Sequence, residues 1–264
     1  MSERYAVIGQ PVAHSKSPRI HARFARETRQ DIDYGLIEAP LGGFAGAADE
    51  FRAGGGKGLN VTIPFKEDAF RYCAKLTPRA RAAGAVNTVT FGAEVSGDNT
   101  DGIGLVRDLS RNLGVELRGS RVLLMGAGGA AQGVLGALLE AGVVAVTVAN
   151  RNEARARELA ARFPGVAASG YGALEAGFDL LINATSAGLS DEAPALPPTV
   201  LRRAKLAYDM VYGRDTPFLA AARAAGVNAC DGLGMLVEQA AESFFVWRGV
   251  RPDTAPVLAA LRAR

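Results

Sequence analysis

The sequence is poor in cysteine and has no long hydrophobic run. Its 264 residues include only two cysteines, Cys73 and Cys230, which lie far apart and match no metal-ligand spacing. No apolar run reaches the length that a membrane-spanning helix needs. Residues 1–4 lead directly into a strand-like segment, so we expect no signal peptide. We therefore expect a protein of the reducing cytoplasm, with free thiols, no metal and no membrane contact.

Lysine and histidine are scarce as well. Only five of the 30 basic residues are lysines, which makes arginine the usual surface cation of this chain. The net charge of +3 is mild and no basic run alternates with aromatic residues, so we expect no nucleic acid partner. The two histidines, His14 and His21, are isolated and are weak candidates for a catalytic base. What remains is a chain with 48% hydrophobic residues, long enough for two domains.

The middle of the chain has the pattern strand, glycine turn, helix, strand. An apolar run at 122–125 precedes the turn, and a β-branched run at 143–148 follows the Ala/Leu-rich helical segment. The turn has the form G-x-G-x-x-A: Gly126 permits a tight bend, Gly128 lets the backbone approach a pyrophosphate, and Ala131 lets the helix pack closely. Because the first N–H groups of the helix are unpaired, they suit a phosphate. The pattern predicts a Rossmann-type dinucleotide site.

The end of the second strand indicates which dinucleotide is bound. An NAD site is expected to have Asp or Glu about 20 residues after the turn, where it binds the ribose 2′-hydroxyl. This sequence instead has Asn150-Arg151, with Arg155 about one helical turn further on. Guanidinium groups can bind a phosphate bidentately, so NADP, with its 2′-phosphate, is the predicted cofactor. The alternative is that Arg155 is one more solvated side chain of a charged helix.

Lys66 is the residue of the first half that we single out for chemistry. It follows a predicted strand at 59–63 and Pro64, at the start of a predicted helix, and such strand ends often carry the functional groups of α/β domains. Lysine can exchange a proton near neutral pH if its pKa is lowered, whereas arginine cannot. The alternative is a solvated lysine in a Lys-Glu-Asp run.

Two serines precede the first predicted helix. Ser17 followed by Pro18 is typical of a helix N-cap with proline at the first helical position. Ser15 has no such role in this interpretation. Its hydroxyl is therefore a candidate contact for a polyhydroxylated ligand.

Further polar residues gather where the first domain is expected to end. Asn87 lies within a predicted strand at 84–91, and Asp98, Asn99 and Asp101 follow the next strand. Together they supply several hydrogen-bonding groups. The alternative for Asp101 is a purely structural one, as the cap of a helix at 103–113.

A series of motifs, in the same order along nearly the whole chain, resembles the shikimate dehydrogenase family. The motifs in the first half are more specific than any dinucleotide turn. They lie at 9–18, 60–66, 84–88, 99–102, 126–131, 150–151, 183–188 and 234–240.

The resemblance implies an NADP-dependent oxidoreductase that interconverts 3-dehydroshikimate and shikimate in aromatic amino-acid (chorismate) biosynthesis. Lys66 and Asp101 would be the catalytic pair. The implied substrate-binding residues are Ser15, Ser17, Thr62, Lys66, Asn87, Asp101, Tyr212 and Gln239. The implied cofactor-binding residues are Gly126, Gly128, Gly129, Ala130, Ala131, Asn150, Arg151, Arg155, Thr185, Ser186, Met210, Gly232 and Met235.

The resemblance also implies the architecture. The fold class is α/β, with an N-terminal α/β substrate domain at 1–101 and a Rossmann-type, doubly wound NADP-binding domain at 102–234. The C-terminal helices, at 235–264, would return to pack on the substrate domain. The oligomeric state, with a homodimer as one alternative, stays open.

Two positions depart from the family pattern, and three rival functions remain. Asn152 stands where Thr often follows Asn-Arg, and Arg214 stands where Pro is usual. A quinate dehydrogenase with broader cyclitol specificity would favour NAD, which Asn150-Arg151 disfavours. A folate-linked methylene dehydrogenase would need a different loop at 15–17. A non-catalytic NADP-sensing regulator would not need Lys66 together with Asp101.

Overall fold

The computed structural model describes residues 2–185 and 194–263. The chain divides into two compact units, the first made of Met1–Gly104 and Leu236–Arg264 and the second of Leu105–Met235. The boundaries expected at residues 101 and 234 refer to domains that fold on their own. They remain a prediction.

The first unit is built on a mixed six-stranded sheet in the order β2-β1-β3-β5-β6-β4. Strand β1 is parallel to both β2 and β3, whereas β5 is antiparallel to β3 and β6. Residues 5–8 of β1 are all buried, as expected of a central strand with both faces covered. The strands are β1 Glu3–Gly9, β2 Ile32–Glu38, β3 Gly56–Val61, β4 Lys75–Leu76, β5 Thr88–Phe91 and β6 Val95–Asp98.

Helices connect these strands. They are α1 Ser17–Thr28, α2 Phe44–Ala53, α3 Lys66–Tyr72, α4 Pro78–Ala83 and α5 Asp101–Arg107. Helix α5 continues into a π-helical turn at Asp108–Asn112, so the single helix predicted at 103–113 has a change of winding within it.

Two local predictions for the first unit are wrong. Ser17 does not cap α1: it is the first helical residue, and the cap position belongs to Lys16, whose side chain makes no capping hydrogen bond. The strand predicted at 84–91 begins only at Thr88. The reason is that Gly84, with φ +65°, ends α4 in the left-handed conformation, and the chain needs several residues to return to the sheet.

The second unit contains a six-stranded, wholly parallel sheet in the order β12-β11-β10-β7-β8-β9. Counted from its own first strand, this is the doubly wound order 3-2-1-4-5-6 of dinucleotide-binding folds. The predicted fold class is confirmed. The strands are β7 Arg121–Met125, β8 Ala145–Ala149, β9 Ala167–Ser169, β10 Leu180–Asn183, β11 Leu206–Asp209 and β12 Asn228–Asp231.

The helices of the second unit are α6 Gly129–Glu140, α7 Glu153–Ala160, α8 Pro198–Leu201 and α9 Pro217–Ala224. The core between sheet and helices contains fully buried side chains from β7 and α6, such as Leu124 and Leu135. No helix in the described part of the chain is long and apolar enough to cross a membrane.

The last two helices are α10 Leu233–Arg248 and α11 Ala255–Arg262. The end of α10 packs on the first unit's sheet, because the indole of Trp247 stacks on Tyr5 at 4.6 Å between ring centroids. The Trp247 Nε1 also donates to the carbonyl oxygen of Val89 on β5, at 3.1 Å. Helix α10 thereby brings polar side chains of its middle turns to the first unit.

Candidate active site

Lys66 and Asp101 form an ion pair in the first unit. Each is the first residue of its helix, Lys66 of α3 and Asp101 of α5. The Lys66 Nζ donates to the Asp101 Oδ2 at 2.5 Å, and the two side chains are 15% and 6% exposed. Asp101 is therefore a helical residue whose carboxylate pairs with Lys66, and not simply a cap. The pair is thus largely, but not completely, shielded from solvent.

Asn87 links this pair to the C-terminal helix. Its Nδ2 donates to the Asp101 Oδ1 at 2.8 Å, to the Thr100 Oγ1 at 2.9 Å and to the Gln239 Oε1 at 3.2 Å. Its Oδ1 accepts the Thr100 N–H at 2.8 Å, which sets the orientation of the amide. Because an amide NH2 has only two protons, three acceptors share them, and a ligand acceptor would have to displace one of these partners. Lys66, Asp101, Asn87 and Gln239, predicted as site residues, are thus brought together.

Two residues of this network were missed from the sequence. Thr100 bonds to Asn87 as described, and Asn60 donates from Nδ2 to the Asn87 carbonyl oxygen at 3.3 Å. The Asn60 Oδ1 accepts the Tyr34 hydroxyl at 2.6 Å. The available signal for Asn60 was a polar residue in an otherwise apolar strand, since a buried amide needs partners.

The Ser15 and Ser17 loop lies at the start of α1. Ser17 is buried, and its N–H donates to the Ser15 Oγ at 3.2 Å. Ser15, which we expected to have no local role, therefore bonds the first N–H of the helix. The Tyr34 hydroxyl has its pKa raised well above the usual value by burial, an effect that a hydrogen bond with Ser17 opposes. Ser17 is thus connected through Tyr34 to Asn60.

Thr62 follows β3 and is partly exposed. Its N–H donates to the Ile8 carbonyl oxygen at 2.9 Å, and a Cβ on Gly9 would lie 2.4 Å from the Thr62 Cγ2. The ends of β1 and β3 thus approach each other closely at this residue. In the described part of the chain, no direct hydrogen bond joins Thr62, Ser15 or Ser17 to Lys66 or Asp101.

His21 does not fit the role of a base. His21 is fully buried and stacks on Tyr34, with 4.1 Å between ring centroids. Burial lowers the pKa of His21 to about 3, so the ring is neutral at physiological pH. His14 lies exposed in the loop before α1.

The second unit carries the glycine turn between β7 and α6. Gly126 has φ +104°, and a Cβ there would lie 3.0 Å from the Ala184 carbonyl oxygen, so only glycine fits without strain. Gly128, the N-cap of α6, has open space where a Cβ would stand, and Ala131 is fully buried. No side chain caps the twelve-residue helix α6, which leaves its first N–H groups for a ligand phosphate. Gly129 and Ala130 open the helix and carry those N–H groups.

The end of β8 carries the two arginines. Arg151 and Arg155 are exposed, and neither has a carboxylate partner among residues 2–185 and 194–263, whereas Arg157 pairs with Glu153 at 2.8 Å. Asn150 donates from Nδ2 to the backbone oxygen of residue 152 at 2.8 Å, which ties the strand end to the helix start. The two exposed guanidinium groups are therefore not neutralised by a carboxylate of the described chain.

Asn152, the first departure from the family pattern, is the N-cap of α7. Its side-chain oxygen accepts the N–H of Ala154 at 3.1 Å. Asn and Thr are both favoured at this position of a helix. The replacement therefore preserves the cap and leaves the preceding Arg151 in place.

The ends of β10 and β11 are joined by a buried amide–carboxylate contact. The Asn183 Nδ2 donates to the Asp209 Oδ2 at 3.1 Å, and the Asn183 Oδ1 accepts the Thr185 hydroxyl at 2.7 Å. Burial raises the pKa of Asp209, and the hydrogen bond from Thr216 is the largest opposing effect. This contact sets the position of Thr185; Ser186 lies outside the described residues.

The remaining predicted residues of the second unit lie near the ends of β11 and β12. A Cβ on Gly232 would be 2.4 Å from the Met210 carbonyl oxygen, so these two segments are in direct contact. Met235 is buried and Met210 is partly buried, and both pack in the unit's main core. Tyr212 follows β11 and is partly exposed.

These two groups of residues define a class of protein: a two-unit α/β dehydrogenase with a Rossmann-type dinucleotide unit. Three family profiles match the chain: "Shikimate dehydrogenase substrate binding domain" at residues 7–89, "Shikimate / quinate 5-dehydrogenase" at 108–190 and "Shikimate 5'-dehydrogenase C-terminal domain" at 232–262. The chain belongs to the shikimate dehydrogenase family. The resemblance seen in the sequence motifs is confirmed.

Individual relatives match over nearly the full length. A protein named shikimate dehydrogenase (NADP(+)) from Methylobacillus flagellatus is 56% identical over 268 residues, covering 99% of each chain. The crystal structure of an Ael1 enzyme from Pseudomonas putida has 48% identity and a TM-score of 0.93, covering 98% of each chain. Shikimate 5-dehydrogenase from Thermus thermophilus, solved in complex with NADP(H) and shikimate, has 38% identity and a TM-score of 0.89, covering 99% of each chain.

Proposed function

We propose that this protein catalyses the NADP-dependent interconversion of 3-dehydroshikimate and shikimate, with Lys66 and Asp101 as the catalytic pair. The observation that carries the proposal is the shielded Lys66–Asp101 contact at 2.5 Å, held in a hydrogen-bond network with Asn87 and Gln239. The relatives support it, since one is named shikimate dehydrogenase (NADP(+)) and another was solved with NADP(H) and shikimate.

The chemistry follows from the groups present. When shikimate is oxidised, a proton leaves the hydroxyl oxygen as hydride leaves the carbon, and the nicotinamide supplies the hydride acceptor when it is bound. The Lys66 ammonium stabilises the developing negative charge on the oxygen. Asp101, held by Asn87 on its other oxygen, keeps the ammonium oriented and takes part in the proton relay.

The other predicted residues complete the proposal. Ser15, Ser17, Thr62 and Asn87 would bind substrate hydroxyl and carboxylate groups, together with Tyr212 and Gln239. The first turn of α6 would bind the pyrophosphate, and Arg151 with Arg155 would bind the 2′-phosphate. Thr185, Met210, Gly232 and Met235, with Ser186, would contact the rest of the cofactor.

A turnover assay tests this function against its rivals. The purified protein should oxidise shikimate with NADP, more slowly with NAD, and oxidise quinate poorly. Comparable rates with quinate and NAD would instead support a broad quinate/shikimate dehydrogenase. NADP binding without any turnover of shikimate would support a regulator and overturn the proposal.

The proposal also covers the cellular compartment and the oligomeric state of the protein. We place the enzyme in the cytoplasm: both cysteines are free, and burial raises the pKa of the Cys73 thiol to about 12, which leaves it inert. We also propose a homodimer. Light scattering of the purified protein, with and without NADP, measures its mass and tests this part independently of catalysis.

A further inference from the structure

Arg79, on α4, joins two separate parts of the first unit. Its Nε donates to the Asp98 Oδ1 at 2.6 Å and its Nη2 to the Asp98 Oδ2 at 2.5 Å, a bidentate pairing. Its Nη1 donates to the Glu242 Oε1 at 3.2 Å. Both carboxylates are only 8% exposed, so this contact is largely removed from water. One guanidinium thus holds two buried acids that lie far apart in sequence.

The first acid sits next to the candidate catalytic groups. Asp98 ends β6, and its Oδ1 also accepts the N–H of Asn99 at 2.7 Å, the start of the segment that leads to Asp101. The Asp98 carbonyl oxygen accepts the N–H of Asn87 at 3.0 Å. Asp98 is therefore bonded to Asn87 and to the chain that carries Asp101.

The second acid sits on the helix that carries Gln239. Glu242 follows Gln239 by one turn of α10, and the Gln239 Oε1 accepts from Asn87 at 3.2 Å. The other carboxylate oxygen of Glu242, Oε2, accepts a hydrogen bond from the Arg251 Nη2 at 2.6 Å. The Arg79 contact therefore ties the Gln239 turn of α10 to β6.

From this geometry we infer that Arg79 is a positioning residue: it sets the register between the Asp98–Asp101 segment and α10, and so the distances from Asn87 to Asp101 and to Gln239. This inference rests on the proposed function. Arginine suits the role because its planar fork meets one carboxylate with two N–H groups and still has a third N–H for the other. A displacement of about 1 Å at a reacting group can cost on the order of 100-fold in rate.

The two contacts of Arg79 can be separated by substitution. Glu242→Ala keeps the Asp98 pairing and removes the Arg79 contact with α10, together with the Glu242–Arg251 bond, so we expect the KM for shikimate to rise about tenfold with kcat nearly unchanged. Arg79→Met releases both segments, so we expect kcat to fall about tenfold or more in addition. Arg79→Lys keeps the charge but not the fork and should resemble Arg79→Met in kcat, with a smaller loss of thermal stability.

The matched control is Arg71→Met, which removes an exposed ion pair with Asp68 on α3 in the same unit. It should leave kcat and KM within about twofold. Direct binding of NADP, measured by calorimetry, should be unchanged in all four variants, because the proposed cofactor residues lie in the second unit.

The outcomes distinguish the inference from the proposed function. An unsubstituted protein that does not turn over shikimate refutes the function. An active protein in which Arg79→Lys and Glu242→Ala lower the melting temperature but leave kcat and KM within twofold shows that Arg79 only stabilises the fold, and overturns the inference. If Arg79→Met does not fold, Arg79→Lys and Glu242→Ala decide the matter by the same criteria.

Discussion

The two groups of candidate residues differ in how far they are already bonded. In the first unit, the Asp101 carboxylate accepts hydrogen bonds from the Lys66 Nζ at 2.5 Å and from the Asn87 Nδ2 at 2.8 Å. In the second unit, Arg151 and Arg155 are exposed and lack a carboxylate partner in the described parts of the chain. The proposed catalytic residues are held by the protein itself, whereas the proposed phosphate-binding residues are left for the ligand.

This difference matches two different tasks. Proton transfer requires groups held at hydrogen-bond distance from the reacting atom, and such positioning comes from neighbouring side chains that restrict movement. Recognition of a 2′-phosphate requires positive charge that another protein group has not neutralised. Exposed arginines provide it, but their attraction for a phosphate is weakened by salt.

The strongest test of the hydrogen-bonded residues of the first unit is Lys66→Ala. The alkoxide-like oxygen formed as hydride leaves carries charge that a nearby cation stabilises, whereas the neutral hydroxyl of bound shikimate can bond to many groups. We therefore expect kcat to fall about 10²–10⁴-fold with little change in KM. Calorimetry should show shikimate and NADP binding nearly intact.

Lys66→Arg serves as the control for charge. Arginine keeps the positive charge but does not yield a proton, and it is bulkier, so it should restore little activity. A Lys66→Ala enzyme with near-normal kcat and a large rise in KM would show that Lys66 only holds the substrate. The proton would then have to be handled by Asp101 or by water.

The exposed, proposed phosphate-binding residues are tested by Arg151→Ala. Because a hydrogen bond to a charged group contributes roughly 1.5–3 kcal/mol, the KM for NADP should rise about ten- to hundred-fold. The KM for NAD, which lacks the 2′-phosphate, should change little. Arg157→Ala is the matched control, since Arg157 is exposed on the same helix region but pairs with Glu153. Equal losses with both cofactors would refute the 2′-phosphate assignment.

The comparison also shows what could be predicted from the sequence. The glycine turn and its strands were recognised because they are local: Gly126 needs a positive φ, and hydrophobic runs mark β7 and β8. Partners across the chain were not accessible in this way. Asn60 and Thr100 join the network only because β3 and β6 lie on either side of β5.

The error at Ser17 has a similar cause on a smaller scale. Proline is tolerated throughout the first turn of a helix, so Pro18 does not identify which residue is the cap. The structure starts α1 one residue before the proline and uses the Ser15 Oγ to accept the first helical N–H. Boundaries that differ by one residue are common, yet here the shift moves a structural role from one candidate residue to another.

The two glycines of the turn separate stability from binding. Gly126→Ala places a side chain at φ +104° and against the Ala184 carbonyl oxygen, so we expect a loss of about 1–3 kcal/mol in the free energy of unfolding. Gly128→Ala meets open space and should leave stability nearly unchanged while weakening NADP binding. Chemical denaturation and calorimetry measure the two effects. A Gly128→Ala protein that binds NADP normally would contradict the proposed pyrophosphate site.

The smallest expected effect concerns the two serines, and it decides between local structure and ligand contact. Ser15→Ala removes the oxygen that accepts the Ser17 N–H, so it should lower the free energy of unfolding by about 1 kcal/mol. Ser17→Ala removes no capping bond but loses the buried hydrogen bond with Tyr34, so we expect a loss of similar size. If both hydroxyls also bind substrate, each variant should raise the KM for shikimate. A Ser15→Ala protein with a lower melting temperature and an unchanged KM would show that Ser15 serves the helix alone, and the KM of Ser17→Ala would then decide whether Ser17 contacts the substrate.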